Sequence, residues 1–425
     1  MGQNSDSGPT DRGQGATTES SQLSSSLAVN PVMPEYVADR RHPRNLQLDV
    51  LRGVAVLLVI GHHLRLPASG GLALAVSTFW FQIGWLGVEL FFVLSGFLIG
   101  GLLLEELRRH GRLNIKRFVL RRGLKIYPSY FLLLLYLILM PVMKASLRGE
   151  NPVATFLDKL SLYGPNLFFL QNYVGTNPAG HTWTLAVEEH FYLSLPLLLS
   201  ALAFVRRVHW ALVVMLAAVP VCLGIRCLSI LAGDSFSSSM NATHLRFDAL
   251  FFGVAIRAAL YRRPEGLAPS KLYRLSLTLA GVLLWAPAVF LDPHATMIHS
   301  IGLTGILFGS AAFLIAAYHT RASDFGPVRH PVRLVARGLA WVGLYSYTIY
   351  LWHVSVLGIT ERGRGDALMA WTGQWAGLGW FVIAASLCGL AILVGFIAAR
   401  VVEWPILRLR DRLLPSHTPS VPPRA

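Results

Sequence analysis

Ionisable side chains lie inside stretches of the chain that are otherwise apolar, and one pair has a spacing suited to acid–base chemistry. In the segment LQLDVLRGVAVLLVIGHHL, Arg52 and His63 are eleven residues apart. An α-helix places them on one face, about 16 Å apart along its axis, whereas His62 points about 80° away. A neutral imidazole can accept a proton near physiological pH, so His63 is the candidate general base. The alternative is an arginine and two histidines that only reach toward the membrane interface.

Further polar side chains occur at a similar depth in four other apolar stretches. These stretches read GWLGVELFFVLSGFLI, HTWTLAVEEHFYL, HLRFDALFFG and YSYTIYLWH, and they carry Glu89; Glu188 and Glu189; Arg246 and Asp248; and Ser346, Tyr350 and His353. Ionisable groups within a span are costly, and structural ion pairs would be scattered over all depths. Convergence on one layer therefore favours a shared polar cavity. Either glutamate could orient the base or hold a substrate, and Asp248, Tyr350 and His353 would line the substrate side.

A basic segment, RRGLKIYP, carries Arg121, Arg122 and Lys125 at the start of another apolar run. Guanidinium groups match phosphate oxygens in geometry, so this segment could clamp an anionic donor from the cytosol. The excess of positive charge on the cytoplasmic side of membrane proteins explains the same residues without any ligand. Both interpretations stay open at the level of sequence.

Helices that span a membrane must position these residues. Of the 425 residues, 54% are hydrophobic and only 14% are charged, against about 25% charged in an average soluble protein. Ten apolar runs have spanning length, near residues 46–65, 84–104, 124–143, 183–204, 209–231, 244–261, 274–291, 298–318, 338–359 and 375–402. Most of the 37 lysines and arginines fall on alternate connections. The pattern predicts an all-α integral membrane bundle of about ten transmembrane helices with both termini cytoplasmic.

The remaining segments complete the predicted organisation. Residues 1–40 are rich in Ser, Gly, Gln and Thr and are expected to form a disordered cytoplasmic tail. Residues 41–410 form the ten-span membrane domain, and residues 411–425 form a short cytoplasmic tail. The run 154–172 is apolar but contains charged residues and a proline, so we expect an interfacial or re-entrant piece in an outer loop.

Several other classes of function find no support in the sequence. The net charge is +15, but the basic residues form no continuous stripe, so no nucleic-acid partner is predicted. The three cysteines lie in apolar runs without a CxxC pair and are expected to be small buried side chains. No glycine-rich nucleotide motif, GxSxG or HExxH occurs. His244 and Asp248 are four residues apart, but two ligands alone do not define a metal site, and no metal is predicted.

Seven motifs appear in the order typical of one family, namely LDVLRG with a following histidine, GVELFFVLSGFLI, RRGLKIYP, HTWTLAVEEHFYL, RFDALFFG, SYTIYLWH and VEWPILRLR. Over about residues 46–410 the chain resembles acyltransferase family 3, whose integral membrane enzymes acylate surface glycans, antibiotics and other acceptors. The family's Arg-x10-His motif matches Arg52 and His63, with the histidine catalytic. Its Arg-x-x-Arg motif matches Arg122 and Lys125, where lysine keeps the charge but loses the planar fork. Many relatives carry an additional soluble domain after the last span, but only 15 residues follow Arg410 in this sequence, so a stand-alone membrane form is expected.

The resemblance implies a membrane O-acyltransferase in a prokaryotic plasma membrane, with acyl-CoA, usually acetyl-CoA, as donor and no permanently bound cofactor. The donor phosphates would rest on Arg121, Arg122 and Lys125, and the pantetheine arm would pass Arg52. His63 would deprotonate a hydroxyl of a glycan or small molecule, or would carry the acyl group itself. A proton-coupled secondary transporter or exporter is the alternative, because it too requires intramembrane carboxylates and histidines. A non-catalytic scaffold gives no reason for polar groups to converge on one layer.

Overall fold

The structure, a computed structural model, describes most of the chain between Asn45 and Pro415. The described ranges are 45–68, 70–174, 178–205, 207–233, 241–261, 269–292, 295–321, 324, 327, 330–360, 364–371 and 378–415. The predicted tail 1–40 and most of the predicted tail 411–425 lie outside these residues.

Within these ranges the chain forms sixteen α-helices and no strand. In chain order they are α1 Leu46–His63, α2 Gly71–Gly84, α3 Leu86–His110, α4 Ile115–Leu147, α5 Pro152–Leu167, α6 Trp183–Phe204, α7 Ala211–Leu231, α8 Phe247–Tyr261, α9 Lys271–Trp285, α10 Pro287–Phe290, α11 Leu303–His319, α12 Pro331–Leu344, α13 Ser346–Leu357, α14 Arg364–Trp371, α15 Leu378–Ala398 and α16 Trp404–Leu413. Single π-turns, Ile298–Gly302 and Ala399–Glu403, join onto α11 and α15.

Local sequence signals set several of the helix ends. The side-chain oxygens of Asn45, Asn114 and Asn151 accept hydrogen bonds from backbone amides in the first turns of α1, α4 and α5. Such caps satisfy amide groups that have no partner within the helix. Gly111 ends α3 in the left-handed conformation, with φ of 66°, which glycine adopts without a steric penalty.

Eight helical stretches within the described residues are long and apolar enough to span a membrane, and a bent pair makes nine. Helices coincide with all ten predicted runs, so the all-α, multi-pass prediction is confirmed. Helix α8 has 15 residues and falls short of the spanning length of about 20. The predicted single span 338–359 is instead a pair, α12 and α13, bent by 77° between Leu344 and Ser346. Composition alone does not reveal this break, because both halves are apolar.

Glycines bring two helix pairs into direct backbone contact. A Cβ atom on Gly53 of α1 would lie 2.1 Å from the Leu339 carbonyl oxygen of α12, and one on Gly343 would lie 1.9 Å from the Asp49 carbonyl oxygen. Helices α3 and α8 meet in the same way through Gly96 and Gly253. Small residues allow such close packing in membranes, where no hydrophobic effect drives helices together. The α1–α12 contact fixes the part of α1 that carries Arg52.

The predicted interfacial or re-entrant piece, 154–172, forms α5 and a turn that enters the protein core. Asn166 Nδ2 donates to Thr182 Oγ1 at 3.1 Å, and Gln171 Nε2 donates to the Thr182 carbonyl oxygen at 3.0 Å. Tyr130 Oη, on α4, donates to the Asn166 carbonyl oxygen at 2.9 Å. These buried bonds fix the short 3-10 turn Gly180–Thr182, which precedes α6.

Candidate active site

Three histidines meet at the end of the bundle that the charge distribution predicts to face outward, here called the outer end. His63 ends α1, His181 lies in the turn before α6, and His353 lies in α13. The ring centroids of His63 and His353 are 4.9 Å apart, and those of His181 and His353 are 5.4 Å apart. We call these three residues the histidine cluster.

Hydrogen bonds to backbone carbonyl groups hold each ring of the histidine cluster. His63 Nδ1 lies 2.9 Å from the Val59 carbonyl oxygen and 3.3 Å from His353 Nε2. His353 Nδ1 lies 2.5 Å from the carbonyl oxygen of Tyr350. His181 Nε2 lies 3.0 Å from the carbonyl oxygen of Leu351. His181 and His353 are buried, whereas His63 is partly exposed.

Tyr350 lies beside the histidine cluster, as the i, i+4, i+7 spacing with Ser346 and His353 predicts. Its hydroxyl donates to the His181 carbonyl oxygen at 2.7 Å and lies 2.7 Å from Thr184 Oγ1. The ring is buried, and its hydroxyl is already engaged within the protein. Tyr350 therefore ties α13 to the start of α6.

His62 and His63 are adjacent in sequence but have different surroundings. His62 Nδ1 donates to the Phe81 carbonyl oxygen at 2.8 Å, and the two rings stack with centroids 4.8 Å apart. Phe81 belongs to α2, a helix that the sequence analysis did not predict. His62 thus anchors α2 to α1, and only His63 contacts the histidine of α13.

The two glutamates of α6 lie about 10 Å deeper along the helix axis than His181. Glu188 Oε2 accepts from Tyr192 Oη at 2.8 Å, and Glu189 Oε2 accepts from Tyr127 Oη of α4 at 3.1 Å. Within the described residues, neither carboxylate forms a hydrogen bond to the histidine cluster. Both therefore lie between the two ends of the bundle, below the layer in which the sequence analysis expected them.

Positive charge gathers at the opposite, inner end of the same bundle. Arg52, Arg122 and Lys125 are close enough to repel one another electrostatically, and we call them the inner basic cluster. Arg52 also pairs with Asp49 at 2.9 Å, so the predicted i, i+3 pair is present. Lys125 is attracted by Glu403, and Lys125 and Arg122 together attract Glu188. Such a concentration of cations suits an anionic ligand.

The Arg121 guanidinium group is engaged by the C-terminal helix α16. It pairs with Asp411 of α16 at 3.1 Å and donates to the Leu414 carbonyl oxygen. Arg122, one residue on, has its guanidinium carbon 5.8 Å from the Phe118 ring centroid. The predicted clamp of three residues is thus divided: Arg122 and Lys125 stay together, whereas Arg121, also on α4, pairs with the C-terminal helix.

Asp248 lies in a buried ionic network. Its Oδ2 accepts from Arg226 Nη1 of α7 at 2.8 Å, and both side chains are almost completely buried. Arg226 also donates to the Leu245 carbonyl oxygen and to Thr304 Oγ1, and the neighbouring Arg246 pairs with Glu89 of α3. The network connects four helices, and Asp248 offers no exposed oxygen to a substrate.

Three residues of these groups escaped the sequence analysis. His181 precedes its helix, so no helical spacing connects it with the others. Arg226 is the lone charge in the apolar run LGIRCLSI. An ionisable residue inside an apolar span is itself a signal, because such a residue needs a partner or a function. Glu403 stands in VEWP, and its signal is the same: a carboxylate inside an apolar stretch. Among the described residues, no group of three histidine, cysteine or acidic side chains has a metal-binding arrangement.

The chain is similar to a known protein family and to several bacterial relatives. Residues 45–400 match the model of a family described as an acyltransferase domain. Peptidoglycan O-acetyltransferase OatA of Listeria monocytogenes is 25% identical over 330 residues, which is 74% of this chain and 49% of that protein. YrhL of Bacillus subtilis, whose name gives the same activity provisionally, is 28% identical over 323 residues, 73% of this chain and 48% of that protein. The chain spans about half the length of these relatives. No solved structure matches the chain significantly.

Proposed function

The chain belongs to this acyltransferase family, and from that premise we propose that it transfers an acetyl group from cytosolic acetyl-CoA to a hydroxyl group of a cell-surface glycan. The relatives' names supply the reaction and the class of acceptor, since two of them are named for peptidoglycan O-acetylation. The observation that carries the proposal for this chain is helix α1, which bears a histidine at one end and an arginine of the inner basic cluster at the other.

The inner basic cluster is the proposed donor site. The phosphates of CoA would pair with Arg122 and Lys125, and the pantetheine arm would extend along α1 past Arg52. Eleven residues of helix separate Arg52 from His63, about 16 Å. Glu188 lies between the two ends, within electrostatic range of Arg122 and Lys125 on one side and of Tyr350 on the other.

The transfer step follows from a base placed beside the thioester. His63 Nε2 accepts the proton of the acceptor hydroxyl while the oxygen attacks the thioester carbonyl carbon. The resulting tetrahedral intermediate expels the CoA thiolate, the carbon–sulfur bond breaks, and the proton from His63 returns to the sulfur. A transient acetyl-His63 would give the same products in two steps.

The proposal is tested with purified protein in sealed vesicles, labelled acetyl-CoA and peptidoglycan fragments as acceptor. We expect release of CoA together with label on the glycan, and neither in vesicles without protein. A crude surface-glycan extract, used in parallel, detects a different acceptor. Absence of both CoA release and label transfer, together with proton-coupled solute uptake, would instead establish a transporter.

The division of the basic segment gives a prediction for donor binding. Changing Arg122 to alanine removes a guanidinium from the inner basic cluster, and we expect the KM for acetyl-CoA to rise by about 10- to 100-fold. Charge-assisted hydrogen bonds contribute about 1.5–3 kcal/mol each, which corresponds to that range. Steady-state kinetics of acetyl transfer measure the change.

Arg121→Ala is the matched control, because it removes the same side chain one residue away. We expect its KM to stay within about twofold of wild type, since Arg121 is paired with Asp411. Equal effects of the two substitutions would show that Arg121 also contacts the donor.

A further inference from the structure

The positions of two protons in the histidine cluster follow from the carbonyl groups that its rings contact. His353 Nδ1 lies 2.5 Å from the Tyr350 carbonyl oxygen, which can only accept, so Nδ1 carries the proton. In a neutral imidazole the other nitrogen is then an acceptor. His353 Nε2 therefore presents a lone pair to His63.

His63 Nδ1 faces two acceptors, and this arrangement determines its tautomer. The Val59 carbonyl oxygen lies 2.9 Å away and His353 Nε2 lies 3.3 Å away. Only a proton on Nδ1 satisfies both, because the other tautomer would turn three lone pairs toward one another. The proton on Nδ1 leaves Nε2 of His63 bare, and within the described residues Nε2 has no hydrogen-bond partner.

The contribution of His353 differs from that of Val59. The Val59 carbonyl is the i−4 carbonyl of the same helix, so it also accepts the backbone hydrogen bond of that turn. It can bond to Nδ1 in more than one orientation of the ring, so it does not fix the orientation by itself. His353 approaches from another helix and restricts the ring from the side. A second acceptor therefore fixes both the tautomer and the orientation of His63, as partners on the far nitrogen of a histidine commonly do.

His181 supports the residue that makes this contact. Its Nε2–H donates to the Leu351 carbonyl oxygen, two residues before His353, and its ring lies edge-on to that of His353. Together with the bond from Tyr350 to the His181 carbonyl oxygen, this contact joins α13 to the start of α6 at two points.

We propose that His353 is a positioning residue that holds His63 in the Nδ1–H tautomer, so that Nε2 is free to accept the proton of the acceptor hydroxyl. This role rests on the proposed function, because it assumes that His63 acts as the base. It also differs from a role in acceptor binding, which the sequence analysis assigned to His353. The buried ring contacts His63, His181 and the α13 backbone.

The test replaces His353 by phenylalanine, which keeps a ring of similar size but removes the acceptor. We expect kcat to fall by about 10- to 100-fold, as loss of a partner on the far nitrogen does elsewhere. The KM values for acetyl-CoA and for the glycan fragments should change by less than about twofold. His353→Gln places a carbonyl oxygen near the position of Nε2 and should recover most of kcat. A rise in acceptor KM with unchanged kcat would overturn the proposal in favour of acceptor binding.

A second measurement does not depend on activity. Nitrogen-15 NMR of the full-length protein, with labelled histidine, distinguishes the two neutral tautomers of His63, whose signal is assigned by its loss in His63→Gln. We expect protonated Nδ1 in wild type and a mixture of tautomers in His353→Phe. An unchanged tautomer in His353→Phe would overturn the proposal even if the enzyme is active. Absence of transfer in wild type, with the expected tautomer present, would count against the proposed function alone.

Discussion

Changing His63 to alanine is expected to lower the turnover number for acetyl transfer by about 10²- to 10⁴-fold. This is the contribution that a positioned general base makes, because the acceptor hydroxyl must otherwise lose its proton to water. The KM for acetyl-CoA should change little, since the inner basic cluster lies at the other end of α1. Label transfer in vesicles measures both parameters.

His62→Ala is the control that the structure provides. It removes an imidazole from the adjacent position, but this ring stacks on Phe81 and donates to the carbonyl oxygen of that residue. We therefore expect turnover within about twofold of wild type, measured well below the melting temperature because α2 loses an anchor. A large loss in His62→Ala with normal turnover in His63→Ala would identify His62 as the base. Normal turnover in both would remove the histidine base from the mechanism.

Helical periodicity predicted those parts of the site that lie on one helix. Arg52 and His63 share a face of α1, and Tyr350 and His353 share a face of α13, because 3.6 residues per turn fixes these relations within any straight helix. The ten apolar runs also predicted the helices. In a lipid environment the backbone polar groups must bond to each other, and a helix satisfies them within a single segment. These inferences needed no knowledge of how the helices pack.

Helical periodicity and apolar runs did not predict which helices contact one another. The layer expected from depth divides into a histidine cluster, two deeper glutamates and a separate ionic network. Depth along an axis does not specify which neighbour a side chain faces. Thus Asp248, which the sequence analysis expected at the depth of the histidine cluster, faces Arg226 of α7 instead. His181 reaches His353 from a turn that has no helical period.

The bend before α13 was missed for a related reason. A break of 77° at Tyr345 leaves the composition of the run unchanged, and the contacts of Tyr345 come from distant parts of the chain. The Tyr345 ring stacks on Trp404 and contacts Phe396, residues that are more than fifty positions away. The bend directs α13 so that His353 meets His63, which makes a feature absent from the sequence pattern necessary for the site.

The ionic network should determine stability rather than substrate affinity. Changing Asp248 to asparagine is expected to lower the free energy of unfolding by about 3–5 kcal/mol, because the buried charge of Arg226 loses its partner. Arg226 is fully buried, so water cannot replace the carboxylate. The melting temperature and the yield of monodisperse protein in detergent report the loss. Acetyl transfer by the fraction that remains folded should keep its KM for the glycan fragments.

A double variant separates this expectation from the substrate-binding role that the sequence suggested for Asp248. Replacing Arg226 by methionine and Asp248 by leucine removes both charges, and exchange of a buried pair for apolar side chains is often neutral or stabilising. The double variant should therefore be more stable than Asp248→Asn, although Leu245 and Thr304 lose a donor. A substrate-binding aspartate predicts the opposite pattern. Asp248→Asn would then melt like wild type with a raised acceptor KM, and removal of Arg226 would restore nothing.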